Sequence, residues 1–366
     1  MLLALLELKA ARGRFLLMGS VVVLVAALVG VVSGFTTGLG DDTVSALRRL
    51  PATHLAFASG VGSDQFARSL VDDTALDGWR GQPGVRATPL GTSISRGTTD
   101  RGTEVDFAAF GVEPGSFLDP APGSLDRPDT VVVSQQLADE GVRPGDTLTV
   151  DRLGITLTVT GTTGRSSYGH VAAAYLPIAT WQRIRFTAPG GTAAARLPAQ
   201  YTAVALRADP GTDLAAADRA LHTRTLTVEE AYPAAPGYTG ERVTMTSIQS
   251  FLYVIAPLVV GAFFAVWTVQ RQPELALLRA LGASRRRLLA HTLGQAAVVV
   301  TAGALAGAAL AGAVGLLVGA KVPFSLPGTT LALTMATVVL TALLGAAVTL
   351  RRVATVDPMT MLGAGR

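Results

Sequence analysis

Four stretches of the chain contain no Asp, Glu, Lys or Arg: Phe15 to Gly40, Val243 to Gln270, Leu288 to Ala320 and Val322 to Leu350. Each is longer than the roughly 20 residues a helix needs to cross about 30 Å of hydrocarbon. They predict transmembrane helices over 15–40, 243–270, 288–320 and 329–350. Lys321 and two prolines mark a short outer loop at 321–328 between the last two. Lys9, Arg12 and Arg14 precede the first stretch as they would in a secretory signal. Its apolar part, however, far exceeds a signal core of about 7–15 residues, and no small-x-small site closes it. It is expected to stay as a span.

Between 41 and 242 the apolar period shortens to that of strands. HLAFAS (54–59), VDFAAFGV (105–112), TVVVS (130–134), TLTV (147–150), TLTVTGT (156–162), AAAYLPI (172–178) and YTAVALRA (201–208) are short β-like runs separated by Gly, Pro and Asp. SDQFARSLVD (63–72) and DLAAADRALHTR (213–224) predict helices. The expected fold is therefore an α-helical membrane protein with four transmembrane helices, and an α+β extracytoplasmic domain (41–242) inserted between helices 1 and 2. Residues 1–14, with Leu2, Leu3, Leu5 and Leu6, predict either an amphipathic helix on the inner membrane surface or an extension of the first span.

Charge sets the orientation. Segments 1–14, 271–287 and 351–366 carry three, five and three Lys or Arg, against Glu7, Glu274 and Asp357 alone. Between Asp41 and Arg242 there are 18 basic and 23 acidic residues. The positive-inside rule then puts both termini and 271–287 in the cytoplasm of a cell-membrane protein, with the large domain outside. The sequence pI of 9.7 reflects this topology, and nucleic acid is not needed as a partner. The chain has no cysteine, so the outer domain must be held by its core.

The spans carry packing signals. Gly303, Gly307, Ala311, Gly315 and Gly319 recur every four residues and form one ridge of small side chains; Gly30, Gly34 and Gly38 repeat the pattern in the first span. Such ridges let helices approach closely, within a protomer or across a dimer. Pro257 removes a backbone donor from the second span and predicts a kink.

The loop 271–287 is a helix in its own right by sequence. Pro273 suits a first turn, Glu274 complements its dipole and Gly282 ends it. Leu275, Leu278 and Leu281 line one face, Leu277 and Ala280 widen it, and Arg279 interrupts it. A short leucine-rich helix outside the bilayer fits a groove on a cytoplasmic protein better than it fits lipid headgroups; the plain alternative is a simple positive-inside loop. Ser284 can cap the next helix, with Arg285, Arg286 and Arg287 near headgroup phosphates.

With these residues on view, QRQPELALLRALGASRRRLL resembles the coupling segment of FtsX-like and MacB-like ABC transporter permeases. TVVVSQQLADEGVRPGDTLTV, RRVATVDPMTMLG and the one-plus-three arrangement of spans agree, so the resemblance runs along essentially the whole chain. LELKAARGRFLLMGSVVVLVAALV, SSYGHVAAAYLP and PGYTGERVTMTSIQSFLYVIAPLVVGAFF are most similar to the haem-exporting HrtB branch and its DevC relatives. The resemblance implies a non-catalytic permease moved by mechanotransmission, with two copies of a separate cytoplasmic ATPase on a homodimer. Glu274, Leu275, Leu277, Leu278, Arg279, Leu281 and Gly282 would make the ATPase contact.

No GxxxxGK[ST] run is present, so ATP and Mg belong to the partner ATPase and no cofactor is expected on this chain. Nor is there an HExxH or GxSxG motif, and His54, His170, His222 and His291 are too scattered to suggest a metal site. Haem as cargo would need an axial donor near the outer surface. The candidates are Tyr168, His170, Tyr232, Tyr238 and Met245, with Phe251 and Tyr253 further along the second span. Interfacial anchoring or core packing is the ordinary role of such tyrosines, and a lone loop histidine is usually solvated. Other cargoes remain open: a macrolide-like drug, a peptide or a glycolipid. So does an FtsX-like signalling role toward cell-wall hydrolases.

Overall fold

The computed structural model describes residues 12–62, 65–188, 190, 197–270, 284–318 and 322–353. The coupling segment from Glu274 to Gly282, Gly319, Lys321, the N-terminal residues 1–11 and the tail from 354 lie outside them. The chain divides into two compact units, 1–38 with 243–366, and 39–242.

The first unit is helical. Helices α1 (Arg12–Arg48), α7 (Tyr238–Gln270), α8 (Arg285–Val318) and α9 (Gly328–Val353) each contain a segment long and apolar enough to cross a membrane. The shortest of these segments, 21 residues, already reaches about 30 Å at 1.5 Å per residue. The numbering leaves α2–α6 to the other unit. α7 continues through Pro257, and Gly345 of α9 is the residue that meets it: a Cβ there would come within 2.5 Å of the Pro257 carbonyl.

The buried clusters of this unit are built largely from alanine and valine. One contains Met18, Val22, Val260, Trp267, Ala296, Val299, Ala342 and Ala346. Another contains Ala26, Val29, Ala304, Met335 and Val338. Large apolar side chains point away from the bundle instead, among them Phe251, Leu305, Leu316, Leu317 and Leu333. That inversion suits a helix bundle whose surroundings are as apolar as leucine itself.

The second unit is built on one sheet. Its strands are β1 (His54–Ala58), β3 (Val85–Thr99), β4 (Glu104–Val112), β5 (Thr130–Ser134), β6 (Thr147–Val150), β7 (Ile155–Thr163), β8 (Ser167–Tyr168), β9 (Val171–Pro177), β11 (Ala203–Ala208) and β12 (Thr223–Thr227). They follow the order β12-β1-β11-β3-β4-β9-β5-β7-β6, with β8 paired to β9. Because the far end of β3 also pairs β6, the six strands β3-β4-β9-β5-β7-β6 close a ring of ladders, which removes the exposed edges there. β2 (Val71–Asp72) and β10 (Gln200–Tyr201) form a separate pair.

The period-2 alternation sorts these strands onto three buried clusters. Leu55, Phe57, Ala203 and Ala205 face one side, where Phe110, Tyr168, Tyr175, the α1 residues Val44 and Leu47, and Leu50 just beyond the helix pack. Ala56, Val204 and Leu206 face the other, against Trp79 of α3 (Asp73–Arg80) and Ala217 of α6 (Leu214–Leu221). Inside the ring lie Phe107, Val131, Val133, Leu148, Leu157 and Trp181, the last from α5 (Ile178–Phe186). Gly91 of β3 and Gly111 of β4 are cross-strand partners, and a Cβ on either would collide with Trp181, so the indole lies on a floor made of glycine.

Two sequence expectations change here. Of the helix expected over 63–72, the described residues form only the single turn α2 (Gln65–Arg68), after which Val71 and Asp72 become strand and Asp72 caps α3 through Ala75 N–H. The helix expected over 213–224 stops at Leu221, where His222 turns left-handed, and the chain returns as β12. The short α4 (Gln135–Asp139) is capped by Ser134.

Candidate functional site

The β8–β9 hairpin is where the second unit's chemistry converges. Ser167 pairs Ala172 and Tyr168 pairs Val171, which leaves Gly169 and His170 as a two-residue turn. The hairpin is fastened along α1: Ser167 N–H donates to Ser45 Oγ (2.9 Å) and Gly169 N–H to the Thr43 carbonyl (2.9 Å). His170 then lies between two carboxylates from different long helices. Its Nδ1 is 3.0 Å from Asp42 Oδ2 on α1, and its Nε2 is 2.6 Å from Glu241 Oε1 in the first turn of α7. Thr43 Oγ1 sits 3.2 Å from Glu241 Oε2 and 3.4 Å from His170 Nε2. About a third of the imidazole remains open to solvent. Partial burial disfavours its charge, but the hydrogen bonds and charges of Glu241 and Asp42 outweigh this and raise its pKa above the ordinary imidazole value.

A second cluster lies in the same unit. Tyr232, in a 3-10 turn, and Tyr238, at the start of α7, pack edge to face with ring centroids 6.2 Å apart. Each ring has a guanidinium near it, Arg48 at 5.9 Å from Tyr232 and Arg242 at 5.7 Å from Tyr238. Arg242 Nη1 donates to the Tyr238 hydroxyl (2.7 Å), and Arg48 pairs with Asp41. Tyr238 is buried, Tyr232 half-buried. Tyr168, by contrast, is core: it stacks edge-on against Phe66 and Phe110 and is 3% exposed, and burial pushes its pKa well up. Its ring fastens the hairpin and has no open face for a ligand. Met245 belongs to the helical unit, half-buried on α7.

Within the helical unit the glycines are contact points. A Cβ at Gly30 would fall 2.8 Å from Ala311 Cβ, one at Gly303 2.7 Å from Val22, and one at Gly307 2.6 Å from Ala26 Cβ and 2.8 Å from the Val23 carbonyl. Gly34 and Gly315 both border the Phe324 ring, which also packs edge-on to Phe35. A polar knot that sequence reading missed ties three of these helices. Gln249 Nε2 of α7 donates to Ser33 Oγ of α1 (2.7 Å) and lies 3.3 Å from the Tyr253 hydroxyl, while Thr334 of α9 reaches Ser33 Oγ at 3.4 Å. Uncharged polar residues inside apolar runs were the available signal.

The chain is similar in sequence to known proteins along most of its length. The family model described as MacB-like periplasmic core domain matches residues 15–224, and the one described as FtsX-like permease C-terminal matches 246–358. A protein of Staphylococcus haemolyticus named for a hemin transport system permease, HrtB, is 22% identical over 98% of this chain and 97% of its own length. A Staphylococcus epidermidis protein of the same name is 21% identical over 39% of this chain and 41% of that protein. Among solved structures, the extracellular domain of the ABC-type transporter YknZ from Gram-positive bacteria aligns with 48% of this chain and 98% of its own, at 14% identity and TM-score 0.35. The periplasmic region of MacB from Actinobacillus actinomycetemcomitans aligns with 51% and 92%, at 11% identity and TM-score 0.36. Two family models thus cover the inserted domain and the membrane helices after it, and the chain belongs to the FtsX-like and MacB-like permeases, multi-pass membrane proteins of ABC transporters.

Proposed function

We propose that the chain is the membrane subunit of an exporter for haem or a closely similar anionic amphiphile, working as a homodimer driven by two copies of a separate cytoplasmic ATPase. The observation that carries this reading is the Tyr232–Tyr238 pair with Arg48 and Arg242 beside it. A phenol can ligate haem iron, aromatic faces suit a porphyrin, and guanidinium groups suit its carboxylates. The relatives named for hemin transport support the same cargo, since one of them aligns from end to end. Tyr232 is the better candidate donor because Tyr238 is buried and already accepts from Arg242. Met245 is a further candidate, as a thioether donor.

The motor would act from the other side. Leu275, Leu278 and Leu281 would enter a groove on the ATPase, with Glu274, Leu277, Arg279 and Gly282 completing the helix. Nucleotide-driven closure of the two ATPases would move paired coupling helices, and α7, continuous from Tyr238 to Gln270, would carry that movement outward. The excess of Lys and Arg in 1–14, 271–287 and 351–366 supports cytoplasmic termini.

Titrating the purified full chain with haemin tests the cargo. A saturable Soret shift that Tyr232→Ala weakens at least about tenfold in affinity, a change of about 1.4 kcal/mol, is expected. No saturable shift in the unmodified protein would remove haem and leave a different cargo or cargo-free signalling. For the motor, the double change Leu278→Asp with Leu281→Asp should abolish co-purification of the ATPase while the chain stays folded in the membrane. Retained association would overturn the coupling assignment.

A further inference from the structure

The turn that carries His170 uses a backbone conformation histidine does not favour. Both of its central residues have positive φ, 59° at Gly169 and 65° at His170. Two-residue hairpin loops of this kind prefer Asn-Gly or Asp-Gly, and glycine adopts the conformation freely at the first position. At the second, a side chain is held in a sparsely populated region by its surroundings. What surrounds it is one carboxylate from the end of α1 and one from the start of α7.

We infer that His170 is a proton-operated clasp that ties the outer end of α1 to the first turn of α7. Protonated, the ring donates from Nδ1 to Asp42 and from Nε2 to Glu241 at once, with one positive charge between two negative ones. A neutral imidazole has a single N–H. On deprotonation one contact becomes two facing acceptors, and Asp42 and Glu241 lose the charge that offsets their repulsion. Thr43 Oγ1, the third polar group at the ring, carries one hydrogen and already bonds the Leu39 carbonyl at 2.8 Å, so it cannot replace the lost charge. The other charged groups on these two helix ends have partners of their own: Arg48 pairs with Asp41, and Arg242 bonds Tyr238.

The direction of the pH effect follows from linkage. A histidine pKa raised in the folded state contributes stability that is complete below the unfolded value of about 6.5 and is lost as pH rises through the folded value. The clasp is therefore closed below the ordinary imidazole value of about 6.5 and released as pH rises through the higher folded-state value. It requires no cargo, and so goes beyond the export reading.

The absence of cysteine makes the test direct. Gly40 of α1 and Gly240 of α7 both have open space at the Cβ position. Spin labels on Gly40→Cys and Gly240→Cys in the full chain, in nanodiscs, would be read by pulsed EPR from about pH 5.5 to about pH 9.5, across the imidazole range. The distance distribution should be narrow at the acidic end and broaden with a midpoint above about 6.5. His170→Gly, which suits the positive φ, should give the broad distribution at every pH. A distribution that does not change with pH, or one that keeps its pH response in His170→Gly, overturns the clasp. Imidazole NMR gives a second reading, with the His170 resonance identified by its loss in His170→Gly; a titration midpoint at or below the ordinary value overturns it too. A pH-dependent distance in a protein that binds no haemin would remove haem as the cargo and leave the clasp standing.

Discussion

The two units of this chain solve the same packing problem with opposite residues. In the sheet unit, Trp79, Trp181, Phe57, Phe107 and Phe110 are fully enclosed, and glycine appears where an aromatic ring needs room, as Gly91 and Gly111 do beneath Trp181. In the helical unit the fully enclosed positions among the described residues are mostly alanines, Ala26, Ala296, Ala311, Ala342 and Ala346, joined by Val29, Val300 and Gln295, with leucines outside. The contrast follows from the solvent. Where water is the alternative, burying a large apolar side chain contributes about 1.5–3 kcal/mol. Where lipid is the alternative that gain vanishes, and close approach of backbones through small residues supplies the contact energy.

Perturbing each unit at its characteristic residue tests this contrast, and the largest effect is expected in the sheet unit. Trp181→Ala leaves a cavity over Gly91 and Gly111 and should destabilise the ring of strands by about 3–5 kcal/mol. Hydrogen-exchange mass spectrometry should show lost protection in β3 and β4 peptides, with the helices unchanged. Gly307→Leu comes next. It forces bulk against Ala26 and the Val23 carbonyl, and overpacking of that kind costs about 1–3 kcal/mol. Far-UV circular dichroism during an SDS titration should report the lower midpoint. If Gly307→Leu instead raised that midpoint, close packing by small residues would not be what holds the bundle. The smallest effect is Ser33→Ala, which removes the hub shared by Gln249 and Thr334. Interhelical hydrogen bonds in membranes average about 0.6 kcal/mol and reach about 1.7, so the same titration should shift only slightly. A loss as large as that of Trp181→Ala would mean polar contacts, rather than shape, decide the helical unit.

His170 falls outside that contrast, since neither packing rule accounts for it. Along the sequence it is a lone histidine in SSYGH, and nothing local distinguishes it from a solvated one. Its two carboxylate partners lie 128 and 71 residues away. Tyr168 shows the converse: by sequence it is a candidate haem donor with core packing as its ordinary role, and its ring closes against Phe66 and Phe110. The longest strand, β3, was also not legible. VRATPLGTSISRGTT contains Pro89, two glycines and an arginine pair and reads as loop. It is a strand because β11, β4 and β6 all pair with it and because its glycine is needed under Trp181.

What the amino-acid order settled alone were the properties that depend on period and on total apolar length. Four helices able to span a membrane, an inserted mixed domain and most of its strands follow from runs such as Phe15 to Gly40 and VDFAAFGV, because local spacing decides which face can be buried. Tertiary structure decided which distant residues share an environment. The closure of β3 onto β6, the glycine floor under Trp181, the Ser33 knot and the imidazole between Asp42 and Glu241 all join residues far apart in the chain. Period and composition carry no information about pairings of that separation; they are set only when the chain has folded and each side chain meets its partners.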